Sequence, residues 1–209
     1  MKTPFACAHR GDSSRYRENT LEAIKSAINS GADVVEIDVR ITADNQVVVL
    51  HDASLERLWG ISELVKDKTW EEISKLGDLA VRIPLLSEIL PLFIDTSSIL
   101  MIDMEEADPA DLSFQTVKNG PLDIKQIFWC GNLEGMKRIR TLSSEARIWM
   151  PWNVLGAPDP TEVERLSPEF INLHYSFVSQ KRVEQFHGMG LKVAVWTVDD
   201  LATCLLYTS

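Results

Sequence analysis

The sequence predicts an α/β fold in the form of a (β/α) barrel. Short apolar runs rich in β-branched residues alternate with amphipathic stretches, a pattern typical of parallel strands covered by helices. Polar residues collect where the apolar runs end, and such barrels place their active sites at that edge. The count reaches seven strands, so we expect a barrel that lacks one of the usual eight. A doubly wound sheet would show the same alternation and is the alternative.

The composition predicts a single domain over residues 1–209. The chain is 45% hydrophobic and 25% charged, and no linker or repeat divides it. Its formal net charge of -10 argues against nucleic acid as the main partner but allows a small anionic substrate that a local cation receives. Three cysteines without ligand-like spacing indicate a reducing compartment. Because no signal peptide or membrane span is visible, we expect a cytoplasmic protein, of undetermined oligomeric state.

The N-terminal part is predicted as a strand, a helix and a hairpin. An apolar run at residues 5–8 ends at His9 and Arg10, so the first strand delivers both side chains at its carboxyl end. Asn19 is a candidate cap for the helix that follows, which carries an apolar stripe. Two apolar runs within residues 34–52 are joined by an Asp-Asn pair that favours a turn. This segment is therefore predicted to be a hairpin.

The rest of the chain continues the alternation. A polar, charge-mixed region at about 53–84 is predicted to be a small insertion after the second strand, with a short helix at 70–76. A helix opens at Pro84 and runs through Phe93. No helix is predicted for residues 107–120, whose periodicity is poor. Further strands are expected at 98–104, 126–130, 146–150, 170–174 and 191–198, and helices at 133–142, 160–166 and 180–188.

The hairpin carries the clearest candidate site. Glu36 and Asp38 lie two residues apart in a predicted strand, so their side chains point to the same face. The return strand brings His51 back beside them. Burying two like charges together is costly unless a cation lies between them, so the pair predicts a metal site. A solvent-exposed face that carries both acids, with Ile37 buried behind it, explains the spacing equally well.

Several separated motifs occur in a fixed order along the chain. They are His9-Arg10-Gly11, Glu18-Asn19-Thr20, Glu36-Ile37-Asp38-Val39, Thr42, Asp44, Val48, His51-Asp52, Ile83-Pro84-Leu85, Gly190-Leu191-Lys192-Val193 and Trp196-Thr197-Val198. Their order resembles the signature of the glycerophosphodiester phosphodiesterases. The likeness covers nearly the whole chain and is strongest in its first quarter. Several motifs in the family order are far more specific than any one of them.

The resemblance implies a TIM-type barrel that hydrolyses glycerophosphodiesters to glycerol 3-phosphate and an alcohol. It implies that His9 and His51 serve as general acid and base, that Arg10 holds the phosphate, and that Glu18 and Asn19 lie by the site, with a helix cap as their alternative role. It also implies a divalent metal held by three acids, Glu36, Asp38 and Asp103. Carboxylate ligands favour Mg²⁺ or Ca²⁺, with Mn²⁺ as a third candidate.

Two features depart from the family pattern. The family usually has a glutamate at the position of Asp103 and a lysine two residues later, where this chain has Glu105. Glu105 is therefore assigned to the substrate site, with a place in the metal shell as the alternative. Trp196, at the end of a predicted strand, is also assigned to the substrate pocket. After residue 201 there is room for only a helical turn or two, so we expect a truncated reading of a longer gene.

Two other functions are compatible with the same residues. A related barrel phosphodiesterase or lyase would act on another head group, for instance that of a lysophospholipid, and a cyclic product would identify a lyase. A non-catalytic binding domain of the same fold would bind metal without turnover. The acid at Glu105 and the short C-terminus are the reasons to consider it.

Overall fold

A computed structural model of the chain describes residues 5–78 and 81–198. Seven parallel strands and one antiparallel strand form a single sheet. The strands are β1 (Cys7–Ala8), β2 (Val34–Ile41), β3 (Val47–Val49), β4 (Ile99–Met104), β5 (Ile127–Gly131), β6 (Arg147–Pro151), β7 (Phe170–His174) and β8 (Lys192–Trp196). The sheet order is β1-β2-β4-β5-β6-β7-β8, and β3 pairs antiparallel with β2 to form the predicted hairpin.

The sheet is curled as a barrel requires. Thr197 follows β8 and His9 follows β1, and the Thr197 Oγ1 atom lies 3.5 Å from His9 Nδ1. The ends of the two outermost strands therefore approach each other. The strand order also follows the chain order, whereas a doubly wound sheet reverses direction at a switch point. The predicted barrel-type fold with seven parallel strands is confirmed, and the doubly wound alternative is wrong.

Helices connect the strands, and all of them except the two short helices of the insertion pack against the sheet. They are α1 (Leu21–Asn29), α2 (Glu56–Trp59), α3 (Trp70–Ile73), α4 (Leu86–Ile89), α5 (Pro109–Lys118), α6 (Leu133–Leu142), α7 (Pro160–Leu166) and α8 (Gln180–Gly188). Short 3-10 turns occur at Val65–Asp67, Leu90–Phe93, Ile124–Gln126 and Tyr175–Phe177. The predicted bounds of α6, α7 and α8 agree with the structure.

Two helix predictions differ from the structure. Residues 107–120 contain α5, which buries Ala110, Phe114 and Val117 at helical spacing. The buried face also includes Ser113, and this polar residue obscures the apolar stripe. The helix predicted from Pro84 to Phe93 divides into α4 and a 3-10 turn, since Pro91 has no N–H to continue an α-helix.

The two faces of the sheet pack differently. Val35, Ile37 and the alternate residues of the following strands pack against the outer helices in the largest core cluster. The opposite face carries a smaller cluster in the barrel interior, in which Met101, Phe128, Trp149 and Phe170 are all buried. Because side chains alternate along a strand, the residues that follow on this inner face are those at the carboxyl ends of the strands. The interior is thus apolar below and polar at its mouth.

The predicted insertion lies between β3 and α4 and has its own small core. Six buried residues form it, namely Val48, Leu50, Leu55, Val65, Ile73 and Ile83. The predicted helix at 70–76 is shorter than expected and ends at Ile73. In the described part of the chain no helix is both long and apolar enough to cross a lipid bilayer. The predicted C-terminal end after residue 201 lies outside the described residues.

Candidate active site

Three acids lie close together at the carboxyl ends of two neighbouring strands. Glu36 and Asp38 come from β2, and Asp103 of β4 is the direct partner of Asp38 in the parallel register. Glu36 and Asp38 are each only 5% exposed. The alternative of a solvent-exposed acidic face is therefore wrong, because Glu36 and Asp38 are buried, and Asp103, which is partly exposed, lies beside them.

Burial raises the pKa of all three acids. Desolvation is the largest cause at Glu36, Asp38 and Asp103, and the charge of Asp38 raises the pKa of the other two further. The Arg10 guanidinium opposes the shift at Glu36 and Asp38. Each raised pKa means that the folded protein disfavours the ionised form. This part of the site therefore favours the binding of positive charge.

Arg10 supplies part of that positive charge. Its backbone N–H donates to Glu36 Oε2 at 2.7 Å, its Nε lies 3.2 Å from Asp38 Oδ2, and its Nη1 donates to Glu18 Oε1 at 3.0 Å. Arg10 has a φ of 60° and the next residue, Gly11, a φ of 77°. A Cβ on Gly11 would lie 2.7 Å from a backbone carbon of α1, so this tight turn requires glycine. The turn directs Arg10 into the site.

Asn19 contacts the site and is not the cap of α1. Its Nδ2 donates to Asp38 Oδ2 at 2.7 Å, and its Oδ1 accepts the Asp38 N–H at 3.1 Å. Thr20 caps the helix instead, because its side chain accepts a hydrogen bond from the N–H of Ala23. The predicted cap is thus wrong by one residue, since Asn and Thr are both good caps and their order alone does not distinguish them. Asn19 orients the carboxylate of Asp38.

The ring of His51 lies between two carboxylates. Its Nδ1 is 2.7 Å from Asp52 Oδ1, and its Nε2 is 3.1 Å from Glu105 Oε1. Asp52 is the next residue in the chain, whereas Glu105 comes from the end of β4. Each ring nitrogen of His51 therefore has a carboxylate oxygen within hydrogen-bond distance.

Arg40 holds Glu105 and His51 in this arrangement. Its Nε and Nη2 donate to the His51 carbonyl oxygen at 2.8 and 2.5 Å, and Nη2 also lies 3.1 Å from Glu105 Oε2. Its Nη1 lies 3.1 Å from Glu106 Oε1. Arg40 was not predicted as a site residue, although it follows Asp38 by two positions and so points to the same face. That spacing was the signal by which it could have been found.

His9 and Trp196 lie at the same end of the barrel. The Nε2 atom of His9 is 4.0 Å from Glu36 Oε2. Trp196 is 39% exposed, and its ring packs edge-on against His174 with 5.2 Å between ring centroids. The structure thus brings all the predicted site residues to one edge of the sheet. Their predicted roles stay predictions.

The residues behind Asp103 were missed by the sequence analysis. Cys130 of β5 is its partner in the register and hydrogen-bonds to its carboxylate. Asn172 of β7 donates to Cys130 Sγ at 3.1 Å. A Cβ on Gly131, which has a φ of 102°, would lie 2.5 Å from Asp103 Oδ1. Only glycine leaves room for the carboxylate there, and nothing in the local sequence indicates this contact.

The donor chemistry of the three acids fits a hard divalent cation. Burial raises the pKa of all three carboxyl groups, and carboxylates are the usual ligands of Mg²⁺ and Ca²⁺. However, residues 5–78 and 81–198 contain no group of three or more His, Cys, Asp or Glu side chains arranged so that it could hold a metal ion. The carboxylates have other partners instead, Arg10 for Glu36 and Asp38, and Cys130 for Asp103. They would have to turn from these partners to share a cation.

The fold and the comparison with known families together define a barrel phosphodiesterase. The chain belongs to the glycerophosphoryl diester phosphodiesterase family, whose model matches residues 9–206. The predicted enzyme class, a glycerophosphodiester phosphodiesterase, is therefore confirmed.

Individual relatives are similar over most of the chain. A glycerophosphodiester phosphodiesterase of Caldanaerobacter subterraneus is 30% identical over 95% of this chain and 87% of its own length. The crystal structure of the corresponding enzyme of Thermotoga maritima is 29% identical, with a TM-score of 0.81 over 96% of this chain and 88% of that one. An Oleispira antarctica phosphodiesterase, solved with its product sn-glycerol-3-phosphate, has a TM-score of 0.88 at 24% identity over 98% of this chain and 89% of its own.

Proposed function

We propose that this protein hydrolyses glycerophosphodiesters to glycerol 3-phosphate and an alcohol, with a divalent metal and with His9 and His51 as the proton-transfer pair. One observation carries the proposal. Three acids with raised pKa values, of which Glu36 and Asp38 are buried, lie at the mouth of the barrel together with Arg10 and two histidines. A phosphodiester repels nucleophiles by its own charge, so its hydrolysis needs positive charge on the phosphoryl oxygens and proton transfer at the bridging oxygens.

The two histidines have different surroundings, and these support different roles. His51 has a carboxylate at each ring nitrogen, Asp52 and Glu105, so it is proposed as the general acid that protonates the departing alcohol. His9 has the Thr197 hydroxyl near Nδ1 and Glu36 near Nε2. It is proposed as the base that accepts a proton from the hydroxyl group that attacks the phosphorus atom. Arg10 is proposed to hold a phosphoryl oxygen, for which bidentate guanidinium contacts are well suited.

The metal is proposed to bind Glu36, Asp38 and Asp103, and Mg²⁺ or Ca²⁺ suits their oxygens better than Zn²⁺. When bound, such a cation would neutralise charge on the phosphoryl oxygens. Asn19 supports this role because it already orients Asp38 from both its nitrogen and its oxygen. Mn²⁺ is the third candidate.

The decisive experiment is the release of glycerol 3-phosphate from glycerophosphocholine and glycerophosphoethanolamine by the purified protein. We expect release with Mg²⁺ or Ca²⁺ and its loss with EDTA. Release that EDTA leaves unchanged would contradict the metal site while retaining the reaction. No release from folded protein with any of the three metals would contradict the function and favour a binding domain.

A lysophospholipid is the second candidate substrate, because an apolar surface lies near the mouth of the barrel. Val154 and Leu155, in the loop after β6, are 52% and 83% exposed, and Tyr175 after β7 is 44% exposed. A rat lysophospholipase D is 36% identical over 43% of this chain and 33% of its own length. Choline release from lysophosphatidylcholine at a rate at least equal to that from glycerophosphocholine would support this substrate, and a cyclic phosphate product would indicate a lyase.

The compartment and partners belong to the same proposal. Cys7 and Cys130 are both free, which supports a reducing compartment such as the cytoplasm. The net charge of -10 supports a small-molecule substrate over nucleic acid. Fractionation of the native host, with the protein found in the cytoplasmic fraction, would test the location.

A further inference from the structure

We infer that Arg57 is a positioning residue for His51, acting through the Asp52 carboxylate, and that the insertion thereby completes the active site. The inference rests on the function proposed above. Arg57 lies in α2, within the insertion between β3 and α4, and is not among the predicted site residues.

The Arg57 guanidinium makes four hydrogen bonds to two carboxylates. Nε and Nη2 donate to the two oxygens of Asp52 at 2.5 and 3.0 Å. Nη1 and Nη2 donate to the two oxygens of Glu18 at 3.1 and 2.6 Å. A planar guanidinium with five N–H donors can hold two carboxylates in this way, whereas the ammonium group of a lysine has no such fixed fork.

Each of these carboxylates also holds a residue of the proposed active site. Asp52 Oδ1 lies 2.7 Å from His51 Nδ1, and Glu18 Oε1 accepts a hydrogen bond from Arg10 Nη1 at 3.0 Å. Arg57 therefore connects the loop after β1, which carries the proposed phosphate ligand, with the loop after β3, which carries the proposed general acid. The contacts are continuous from His51 to Arg10.

The backbone on both sides of Arg57 is held by contacts within the insertion. Leu55, which precedes α2, is 1% exposed and belongs to the core of the insertion. Its N–H donates to the carbonyl oxygen of Glu63 at 2.9 Å. Gly60 ends the helix with a φ of 69°. Because the backbone on both sides is held, Arg57 extends from an ordered support toward the site.

The surroundings of Arg57 differ from those of an ordinary surface ion pair, which usually contributes little. Its side chain is 46% exposed, but those of Glu18 and Asp52 are only 16% and 21% exposed. Hydrogen bonds from Arg57 are the largest cause of the lowered pKa of Asp52, which is about 2. Asp52 is therefore ionised at neutral pH and accepts the Nδ1 proton of His51. This sets the ring orientation that directs Nε2 away from Asp52.

The inference is tested with Arg57→Ala, with Arg147→Ala as the matched control. Arg147 makes a similar two-point contact with Glu169, at 3.0 and 3.0 Å, but at the start of β6 and far from the carboxyl ends of the strands. With glycerophosphocholine and Mg²⁺, we expect Arg57→Ala to lower kcat about 10- to 100-fold while KM changes less than about threefold. Added guanidinium chloride at millimolar concentration should restore part of the loss, and ammonium chloride should not. Arg147→Ala should keep kcat within about twofold of the parent.

A second measurement does not depend on turnover. The chain has four histidines, so the ¹⁵N resonances of His51 can be assigned by comparison with His51→Gln. The comparison is made at a pH at which the His51 ring is neutral. In the parent protein we expect the ring proton on Nδ1, and in Arg57→Ala we expect a mixture of both tautomers.

Two outcomes would overturn the inference. One is an Arg57→Ala protein whose kcat stays within about twofold of the parent, and the other is a loss of kcat with the His51 tautomer unchanged, which would show a merely structural role. Absence of hydrolysis in the parent would contradict the proposed function instead, and the tautomer measurement would still decide whether Arg57 positions His51.

Discussion

The two sides of the candidate site hold their charges in opposite ways. On the strand side, desolvation raises the pKa of Glu36, Asp38 and Asp103. On the loop side, hydrogen bonds from Arg57 lower the pKa of Asp52 to about 2, and the pKa of Glu18 is also lowered, because contacts with two arginines outweigh its desolvation.

This difference in charge indicates that the two sides of the site have different functions. The strand side carries more negative charge than Arg10 alone neutralises, so it should bind a cation and lose its function when that charge is removed. On the loop side Arg57 donates hydrogen bonds to both Asp52 and Glu18, so these carboxylates should orient groups rather than bind metal. Substitutions on the two sides should therefore differ in size and in kind.

The largest effect is expected for Glu36→Gln. The substitution removes one proposed ligand and should lower kcat by about 10³-fold or more. It should also raise the free energy of unfolding in EDTA by about 1 kcal/mol, because a neutral amide avoids the desolvation of a buried charge and can still accept from the Arg10 N–H. Kinetics and chemical denaturation measure the two effects. Glu22→Gln, on the exposed surface of α1, should show neither. A variant that retains a tenth or more of the parent activity would contradict the proposal that Glu36 is a metal ligand.

The next effect is expected for His51→Ala. Loss of a general acid usually costs about 10²- to 10⁴-fold in rate. The loss should be smaller for a substrate whose leaving group departs without protonation, such as a p-nitrophenyl phosphodiester, and this difference identifies the acid. His187→Ala, on the surface of α8, is the control and should leave both rates unchanged. Equal losses with both substrates would exclude His51 as the acid.

A smaller effect in the opposite direction is expected for Glu105→Gln. The Glu105 carboxylate lies within hydrogen-bond distance of His51 and Arg40, so it places negative charge where an anionic substrate is expected to bind. Its neutralisation should lower KM for glycerophosphocholine about fivefold. Glu106→Gln is the matched control, because Glu106 also contacts Arg40. Loss of activity together with a higher Mg²⁺ requirement would instead make Glu105 a metal ligand.

The smallest effect is expected for Asp52→Asn on stability as a function of pH. The pKa of Asp52 is lowered from 3.8 to about 2 in the folded protein, so its ionised form stabilises the fold above the unfolded pKa. That contribution, about 1 kcal/mol at most for a partly exposed pair, should decrease as the pH falls from about 4 to about 2. Denaturation at several pH values would show the parent and the variant converging in acid. A difference that stays constant would contradict the lowered pKa.

Much of the fold could be predicted because its main determinant is local. The bounds of α6, α7 and α8 followed from apolar residues at helical spacing. The helix α5 was missed because Ser113 occupies a buried position, and burial depends on what packs against it. Tertiary packing likewise decided that Asn19 binds Asp38 and leaves the cap to Thr20.

The candidate site divides in the same way. Glu36 and Asp38 could be placed together because strand periodicity alone sets their common face. The contacts of Arg57 with Asp52 and of Glu105 with His51 could not be predicted, since they join residues 5 and 54 positions apart through loops of no regular period. The orientation of a side chain at a loop end depends on the neighbouring strand and on the insertion that packs beside it.

By itself, the sequence determined the alternating fold, the order of the motifs and the edge of the sheet where the polar residues gather, because periodicity and covalent order are properties of the chain. Only the tertiary structure decided that Glu36 and Asp38 are buried beside Asp103, and that the acids or His51 are supported by Arg40, Asn19, Cys130 and Arg57. The physical reason is that desolvation and ion pairing depend on distances across the curled sheet, and folding alone sets those distances.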